Sequence, residues 1–282
     1  MSNLLRKIYY SLRPEHRLLV RRLVYFPLDI FDRISGKRHP LQPPRGMIFT
    51  GRGDFIETGR HFVHLLKTHA ELTSTSKVLD IGSGIGRLAV ALTDVLSADG
   101  SYEGFDIVEI GIKWCQKNIS SKYPNFTFTH LPARNHLYNL NTHTPSTSIR
   151  FPYQNDRFDI AVATSVFTHM LHDEVAHYLK EISRTLAPGG RAMLTFFCID
   201  DHNRPYMNSA EIRFPHRHHK CYIMSEDVPE ANVAYDLEEI QKLLHSAQLS
   251  LIHRIPGRWS GAPQFATSSE FQDTFFVRKI LN

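Results

Sequence analysis

From about residue 50 onward, short apolar runs of strand length alternate with stretches whose apolar residues recur every three or four positions. Lys77, Val78, Leu79 and Ile81 predict a first buried strand, and Leu88, Ala91, Leu92 and Val95 mark the apolar face of a helix from Arg87 to Leu96. A second strand is expected over Ser101 to Ile107, a helix over Val108 to Lys122, and a third strand over Phe126 to His130. A polar, irregular stretch from Leu131 to Gln154 precedes a fourth strand, Phe158 to Thr164. Val175, Leu179, Ile182 and Leu186 define another helix, which the turn Pro188-Gly189-Gly190 stops. Arg191 to Ile199 reads as a fifth strand, nearly all apolar from Met193 to Phe197, as for a strand buried on both faces. This alternation predicts a doubly wound, parallel α/β sheet.

The flanks depart from that pattern. Residues 1–36 hold two apolar and basic helical stretches, the second opening at Pro14, a residue suited to the first helical position. Leu18, Leu19, Leu23 and Phe26 lie on one side, with Arg17, Arg21 and Arg22 on the other, and Pro27 is expected to kink or end the helix. Such a segment fits an anionic membrane surface, its own domain or a partner subunit. Lys37 to Arg45, with three prolines, reads as a linker, which divides the chain into an extension (1–45) and a main domain (46–282). Asp54 and Glu57 have capping-box spacing before a helix reaching about His69, with Phe55, Phe62, Val63 and Leu66 on its apolar face. Beyond the fifth strand, Cys198 to Tyr235 is polar and rich in histidine and proline, either a substrate cap over residues 198–235 or a mobile loop. Asp236 and Glu239 again have capping-box spacing, opening a helix to about Ala247, and strands Ser250 to Ile255 and Phe271 to Lys279 close the chain.

Composition sharpens this division. The 282 residues are 42% hydrophobic and 22% charged, enough for one large or two small soluble domains. The net charge of +5 is not spread evenly, because residues 1–40 hold nine Lys/Arg against three acids, about +6, and the other 242 residues sit near −1. A nucleic-acid surface on the main body is therefore not expected. Cys115, Cys198 and Cys221 are far apart and form no CxxC pair, which argues against a disulfide framework or a cysteine zinc site and fits a cytoplasmic protein. No apolar run is long enough to span a bilayer, and arginines at 13, 17, 21 and 22 interrupt any signal-peptide core.

The chemistry concentrates where the first strand empties into Gly82, Gly84 and Gly86 and then a helix. Glycine lets backbone N–H groups approach a ligand closely, and a helix start supplies unpaired donors. Asp80 stands two residues ahead of the first glycine, and Asp106 ends the second strand some twenty residues after the glycines, where a carboxylate accepts hydrogen bonds from ribose hydroxyls. An adenosine-like ligand across the first two strands is expected. Gly84, Gly86 and Ala89 also satisfy G-x-G-x-x-A, so a nicotinamide or flavin dinucleotide competes. Against it stand the charge of Asp80 beside a pyrophosphate, the G-x-G-x-G phase, and the absence of a second nucleotide-binding half after the fifth strand.

D-I-G-S-G-I-G-R (80–87) resembles the first motif of class I S-adenosylmethionine-dependent methyltransferases, with Asp106 at the position of their ribose-binding acid. F-D-I-A-V-A-T-S-V-F-T-H-M (158–170) and L-A-P-G-G-R (186–191) are similar to later segments of that family, and the resemblance covers roughly residues 50–282. It implies a seven-stranded, mostly parallel sheet whose last strand runs antiparallel beside the fifth, with helices on both faces. It also implies S-adenosylmethionine as cofactor, lined by Gly82, Gly84 and Gly86 with Ile81, Ser83 and Arg87, and with Asp80 near the methionine portion. By the same resemblance Arg52 and Gly53 close over the methionine carboxylate, Asp106 and Ile107 flank the ribose, and Ser165 adjoins the site. The acid that many members carry after the third strand is missing from His130-Leu131-Pro132-Ala133-Arg134-Asn135, which leaves Asn135 or backbone groups to read the adenine.

Methyl transfer is an in-line displacement in which positioning supplies much of the rate, and a base is needed only when the acceptor loses a proton. His169, after the fourth strand, and His202, after the fifth, are the candidate catalytic residues. No metal is expected: Asp200, Asp201 and His202 fit turn chemistry, and His216-Arg217-His218-His219-Lys220 reads as a solvated basic loop. Trp259 either covers the acceptor or packs on the sheet. The resulting expectation is a methyltransferase for a small or sugar-containing metabolite, oxygen favoured over nitrogen, with peripheral membrane contact through residues 1–36. The alternatives are an NAD(P)-dependent oxidoreductase and a non-catalytic partner that keeps the nucleotide fold.

Overall fold

The computed structural model describes residues 14–36, 38–49, 51, 53–132, 142 and 144–281. Helix α1 (Pro14–Ser35) leads through a short 3-10 turn (Arg45–Met47) to α2 (Phe55–His69). The alternating region then runs β1 (Lys77–Ile81), α3 (Arg87–Leu92), β2 (Ser101–Asp106), α4 (Glu109–Cys115), β3 (Phe126–His130), β4 (Phe158–Ala163), α5 (His172–Thr185) and β5 (Leu186–Ile199). It closes with β6 (His216–His218), β7 (Cys221–Ile223), β8 (Val233–Asp236), α6 (Leu237–Ser246), β9 (Leu249–Ile255) and β10 (Asp273–Lys279).

Seven strands lie in the order β3-β2-β1-β4-β5-β10-β9, parallel as far as β5, with β10 antiparallel to both β5 and β9. This is the sheet expected from the sequence. Successive strand residues point to opposite faces. Leu79, Ala161, Leu194 and Phe275 therefore meet Val175, Leu179, Ile240 and Leu244 of α5 and α6 on one side. Val78, Ile160, Met193 and Phe276 meet Phe55, Leu66, Leu88 and Ile112 of α2, α3 and α4 on the other.

Three further strands answer the question of residues 198–235. β5 is long enough to serve two partners: Arg191–Phe196 pair with β10, while Phe197–Ile199 pair in parallel with β8. β7 and β6 add antiparallel beyond β8, so the segment is an ordered extension of the sheet at its carboxyl edge, not a mobile loop. Phe214, Met207 and Trp259 fill a small core under it with Phe197 and Ile199.

Two local expectations are corrected. α1 continues through Pro27 to Ser35 without ending. Pro27 lies on the exposed side, where water can take the Leu23 carbonyl that the missing N–H leaves unbonded. At α6, Asp236 makes no capping bond from its side chain, because Arg204 takes its carboxylate at 2.8 Å. At α2 half of the expected box forms, with Asp54 accepting from Ile56 N and Glu57 N.

Candidate active site

The site lies at the carboxyl ends of β1 and β2, beside the point where strand order reverses between β1 and β4. Gly82, Gly84 and Gly86 all adopt positive φ (71°, 59° and 80°), a conformation in which other residues are strained. Packing also requires glycine here. A Cβ on Gly82 would come within 2.6 Å of Val166 Cγ2, and one on Gly86 within 2.9 Å of Cys115 Sγ.

Both predicted acids are buried against this loop, Asp80 at 3% exposure and Asp106 at 8%. Asp106 holds the loop in shape: Oδ2 accepts Gly84 N–H at 2.8 Å and Oδ1 accepts Val108 N–H at 2.7 Å. Burial raises its pKa, and the Val108 and Gly84 N–H groups and nearby His130 oppose that shift. Each carboxylate oxygen keeps a second lone pair for a ligand hydroxyl. Asp80 turns toward β2, where Tyr102 donates to Oδ2 at 2.6 Å. Burial pushes its pKa up to about 7; the Tyr102 bond opposes this and the charge of Asp106 adds to it.

Two buried carboxylates repelling each other are unfavourable alone and favourable for a cation. S-adenosylmethionine carries a sulfonium, so the donor set fits this cofactor: glycine backbone, helix start and paired acids. They fit a dinucleotide pyrophosphate poorly. Ile81 and Ser83 are buried in the same loop and Ile107 is half-buried after Asp106.

α2 closes the site from the other side. Gly59 lets α2 cross α3 closely, since a Cβ there would lie 2.6 Å from the Arg87 carbonyl oxygen. This brings Gly51, at positive φ like Gly53, next to the Arg87 guanidinium, which stacks over Phe55 at 5.6 Å. Burial lowers the Arg87 pKa and Asp54 opposes the shift. Arg52 and Asn135 lie outside the described residues.

After β4, Ser165 adopts φ 56° and its N–H donates to Thr195 Oγ1 at 2.7 Å, while its hydroxyl donates to Gln272 Oε1 at 3.0 Å. His169 follows Val166, the residue packed on Gly82, and its Nδ1 donates to the Glu230 carbonyl at 3.0 Å. Burial lowers its pKa, and backbone bonds to Glu230 and Ala231 oppose the shift. Glu230 in turn borders a cleft of about 580 Å³ between the start of α5 and the β6–β7 turn, with His172, His219 and Lys220 on its walls.

The edge beyond β5 is used differently. Asp200 pairs with Arg254 at 2.8 Å and caps the turn through His202 N and Asn203 N. Arg254 also binds Asp273 at 2.7 Å, and Asp273 accepts Trp259 Nε1 at 2.8 Å. These acids are spent on a buried network, and Trp259 packs against Phe197 and Phe214 rather than over a ligand. His202 is exposed, with its ring edge-on to Phe265. Among the described residues no group of three or more His, Cys, Asp or Glu could hold a metal ion. One pair escaped the sequence reading: His61 of α2 meets Glu270 of the β9–β10 loop at 2.5 Å. They are 209 positions apart, and no local signal joins them.

A family model described as a methyltransferase domain matches residues 53–253. The chain belongs to this family, and its fold and glycine site are those of the class I enzymes that use S-adenosylmethionine. Among curated proteins it is 30% identical over 132 residues to phthiotriol/phenolphthiotriol dimycocerosates methyltransferase 1 of Mycobacterium ulcerans, a stretch covering 47% of this chain and 41% of that protein. The corresponding protein of Mycobacterium leprae is 28% identical over 127 residues, covering 45% and 39%. The chain thus matches about two fifths of the length of these relatives. Among solved structures, a protein of Pyrococcus horikoshii superposes with TM-score 0.56 at 14% identity, over 89% of this chain and 98% of that one. A putative sarcosine dimethylglycine methyltransferase of Galdieria sulphuraria gives 0.52 at 15%, over 79% and 86%. These two establish the fold.

Proposed function

We propose that this chain transfers the methyl group of S-adenosylmethionine to an oxygen of a small-molecule or sugar-containing acceptor. The observation that carries the reading is the Asp106 carboxylate, fixed on the Gly84 N–H at the strand switch point with lone pairs to spare. When bound, the cofactor supplies an electrophilic methyl on a sulfonium. The chain's own part is to hold and to deprotonate. Asp106 would accept the ribose hydroxyls, the Gly82–Gly86 backbone would line the methionine side, and Arg52, Gly53 and Arg87 would meet its carboxylate. Asn135 is assigned to the adenine, and Ile107 and Ser165 to the walls.

For an acceptor hydroxyl, His169 is the base; support comes from its bond to the Glu230 carbonyl at the border of the cleft and from Val166, three residues earlier, which packs on Gly82. His202 is the second candidate, on the exposed turn after β5. The sheet extension over 198–235 borders that cleft through His219 and Lys220, which supports its role as a substrate cap. An oxygen acceptor gains support from the relatives' name, because phthiotriol denotes a triol. The chain is assigned to the cytoplasm, supported by three buried free thiols. Residues 1–36 are assigned a peripheral membrane contact; among the described residues no helix is long and apolar enough to cross a bilayer.

Titration with labelled S-adenosylmethionine and screening of a metabolite extract for methyl transfer test the reading. Wild type is expected to bind the cofactor, and His169→Asn is expected to lower kcat on the order of a hundredfold while leaving cofactor affinity in place. Binding of NADH in place of S-adenosylmethionine overturns it in favour of a dehydrogenase. Cofactor binding with no transfer to any acceptor points to the non-catalytic alternative.

A further inference from the structure

Helix α1 is amphipathic in an inverted sense. Its side toward the rest of the chain is polar. Asp29 accepts the backbone N–H groups of Arg45 at 2.6 Å and Gly46 at 3.1 Å, and Asp32 pairs with the Arg45 guanidinium at 2.6 Å. The contact is close, since a Cβ on Gly46 would come within 2.8 Å of Arg22 Cα. The opposite side is apolar and open. Leu19, Leu23, Phe26, Ile30 and Ile34 recur every three or four residues and stand 43% to 81% exposed. Val20, Val24 and Phe31 widen the stripe. At 3.6 residues per turn these eight side chains cover an arc of roughly 160°.

An exposed apolar patch of this size is unfavourable in water and marks a surface that meets something apolar. The charges around it indicate what. Asp29 and Asp32 are turned inward onto the 45–46 backbone and Arg45, whereas Arg22 and Arg33 are exposed along one margin of the arc. We infer that this face docks on an anionic lipid bilayer, with α1 lying in the interface plane, the apolar arc in the acyl boundary and the arginines at the headgroups. The inference gives the membrane contact assigned to residues 1–36 its face and its lipid chemistry, and it does not depend on the methyl-transfer reading.

A second copy of the chain is the rival occupant. A helix–helix seam needs a narrower stripe, two positions in seven, and leaves most of an arc this wide in water.

Flotation of the full chain with phosphatidylserine-containing vesicles and with phosphatidylcholine vesicles tests this, alongside light scattering. Wild type is expected to float with the anionic vesicles and to be released by salt. Phe26→Glu/Phe31→Glu is expected to lower that binding about tenfold or more. Arg22→Glu/Arg33→Glu is expected to abolish the preference for anionic lipid. Unchanged melting and cofactor binding in both variants show that the domain is intact. Wild type that floats with neither vesicle overturns the inference. So does a wild-type dimer that Phe26→Glu/Phe31→Glu splits while vesicle binding is absent. Failure of the methyltransferase reading would appear separately, as loss of cofactor binding in wild type whatever the vesicles do.

Discussion

The carboxyl edge of β1 and β2 and the helix α1 break the usual partition of side chains in opposite directions. At the edge, two carboxylates are buried against one loop, Asp80 under the Tyr102 hydroxyl and Asp106 on backbone N–H groups. On α1, nine large apolar side chains face solvent while two aspartates point inward. Each arrangement costs free energy in the isolated chain. On the readings proposed above, each would be offset by a different kind of ligand: the buried acids by hydroxyls and a cation, the exposed arc by an apolar, anionic surface. Departures of both signs locate binding where ordinary packing residues carry no information.

Asp106→Ala is expected to have the largest effect. It removes the acceptor for the ribose and leaves the Gly84 and Val108 N–H groups without their carboxylate. S-adenosylmethionine affinity should fall on the order of a hundredfold in calorimetric titration, at about 1.5–3 kcal/mol per charge-assisted bond. An unchanged affinity would mean that the burial of Asp106 is structural only.

Asp80→Asn separates stability from binding. Because the folded pKa of Asp80 is raised to about 7, the folded state holds its proton where the unfolded chain has lost it. Stability from this group is present below the unfolded value near 3.8 and declines as pH rises through about 7. The asparagine form escapes that decline. It should unfold about 2 kcal/mol less readily than wild type near pH 8 and match it near pH 4, in denaturant titrations at both values.

Pro27→Ala sharpens the α1 side of the comparison. Restoring the helical N–H should stabilise the helix locally by about 1–2 kcal/mol, read as slower amide exchange across residues 23–34. Vesicle binding should be kept or strengthened, since the apolar arc is untouched. The smallest effect is expected for Tyr102→Phe, which removes the donor that lowers the Asp80 pKa. It should cost about 1 kcal/mol near pH 8 and less near pH 5, where Asp80 is protonated in both forms.

Much of the fold was legible because it rests on local periodicity. β1 (Lys77–Ile81) and β3 (Phe126–His130) span their expected residues, and β2, β4 and β9 differ from their expected bounds by one residue. Departures arise where tertiary partners intervene. The polar stretch after β5 gave no strand pattern, because its three short strands are held by pairing onto the carboxyl end of β5 and not by their own alternation. Asp236 reads as a helix cap and Asp200 as a turn residue; Arg204 draws the first away from its helix, whereas the second keeps its turn bonds while pairing with Arg254.

Within the site, the glycines, Asp80, Asp106 and the junction at Ser165 and His169 could be read from spacing, because the strand–turn–helix unit fixes where consecutive residues point. The partners that set their chemistry could not. Tyr102 on Asp80, the Glu230 carbonyl on His169 and Glu270 on His61 lie 22, 61 and 209 positions away. Periodicity and composition therefore determined the sheet, the nucleotide loop and the basic, apolar character of α1, all of which depend on neighbours in sequence. Only tertiary structure decided the partners of the acids, the strand pairing within residues 198–235 and the face that α1 turns outward, because burial and charge pairing depend on neighbours in space.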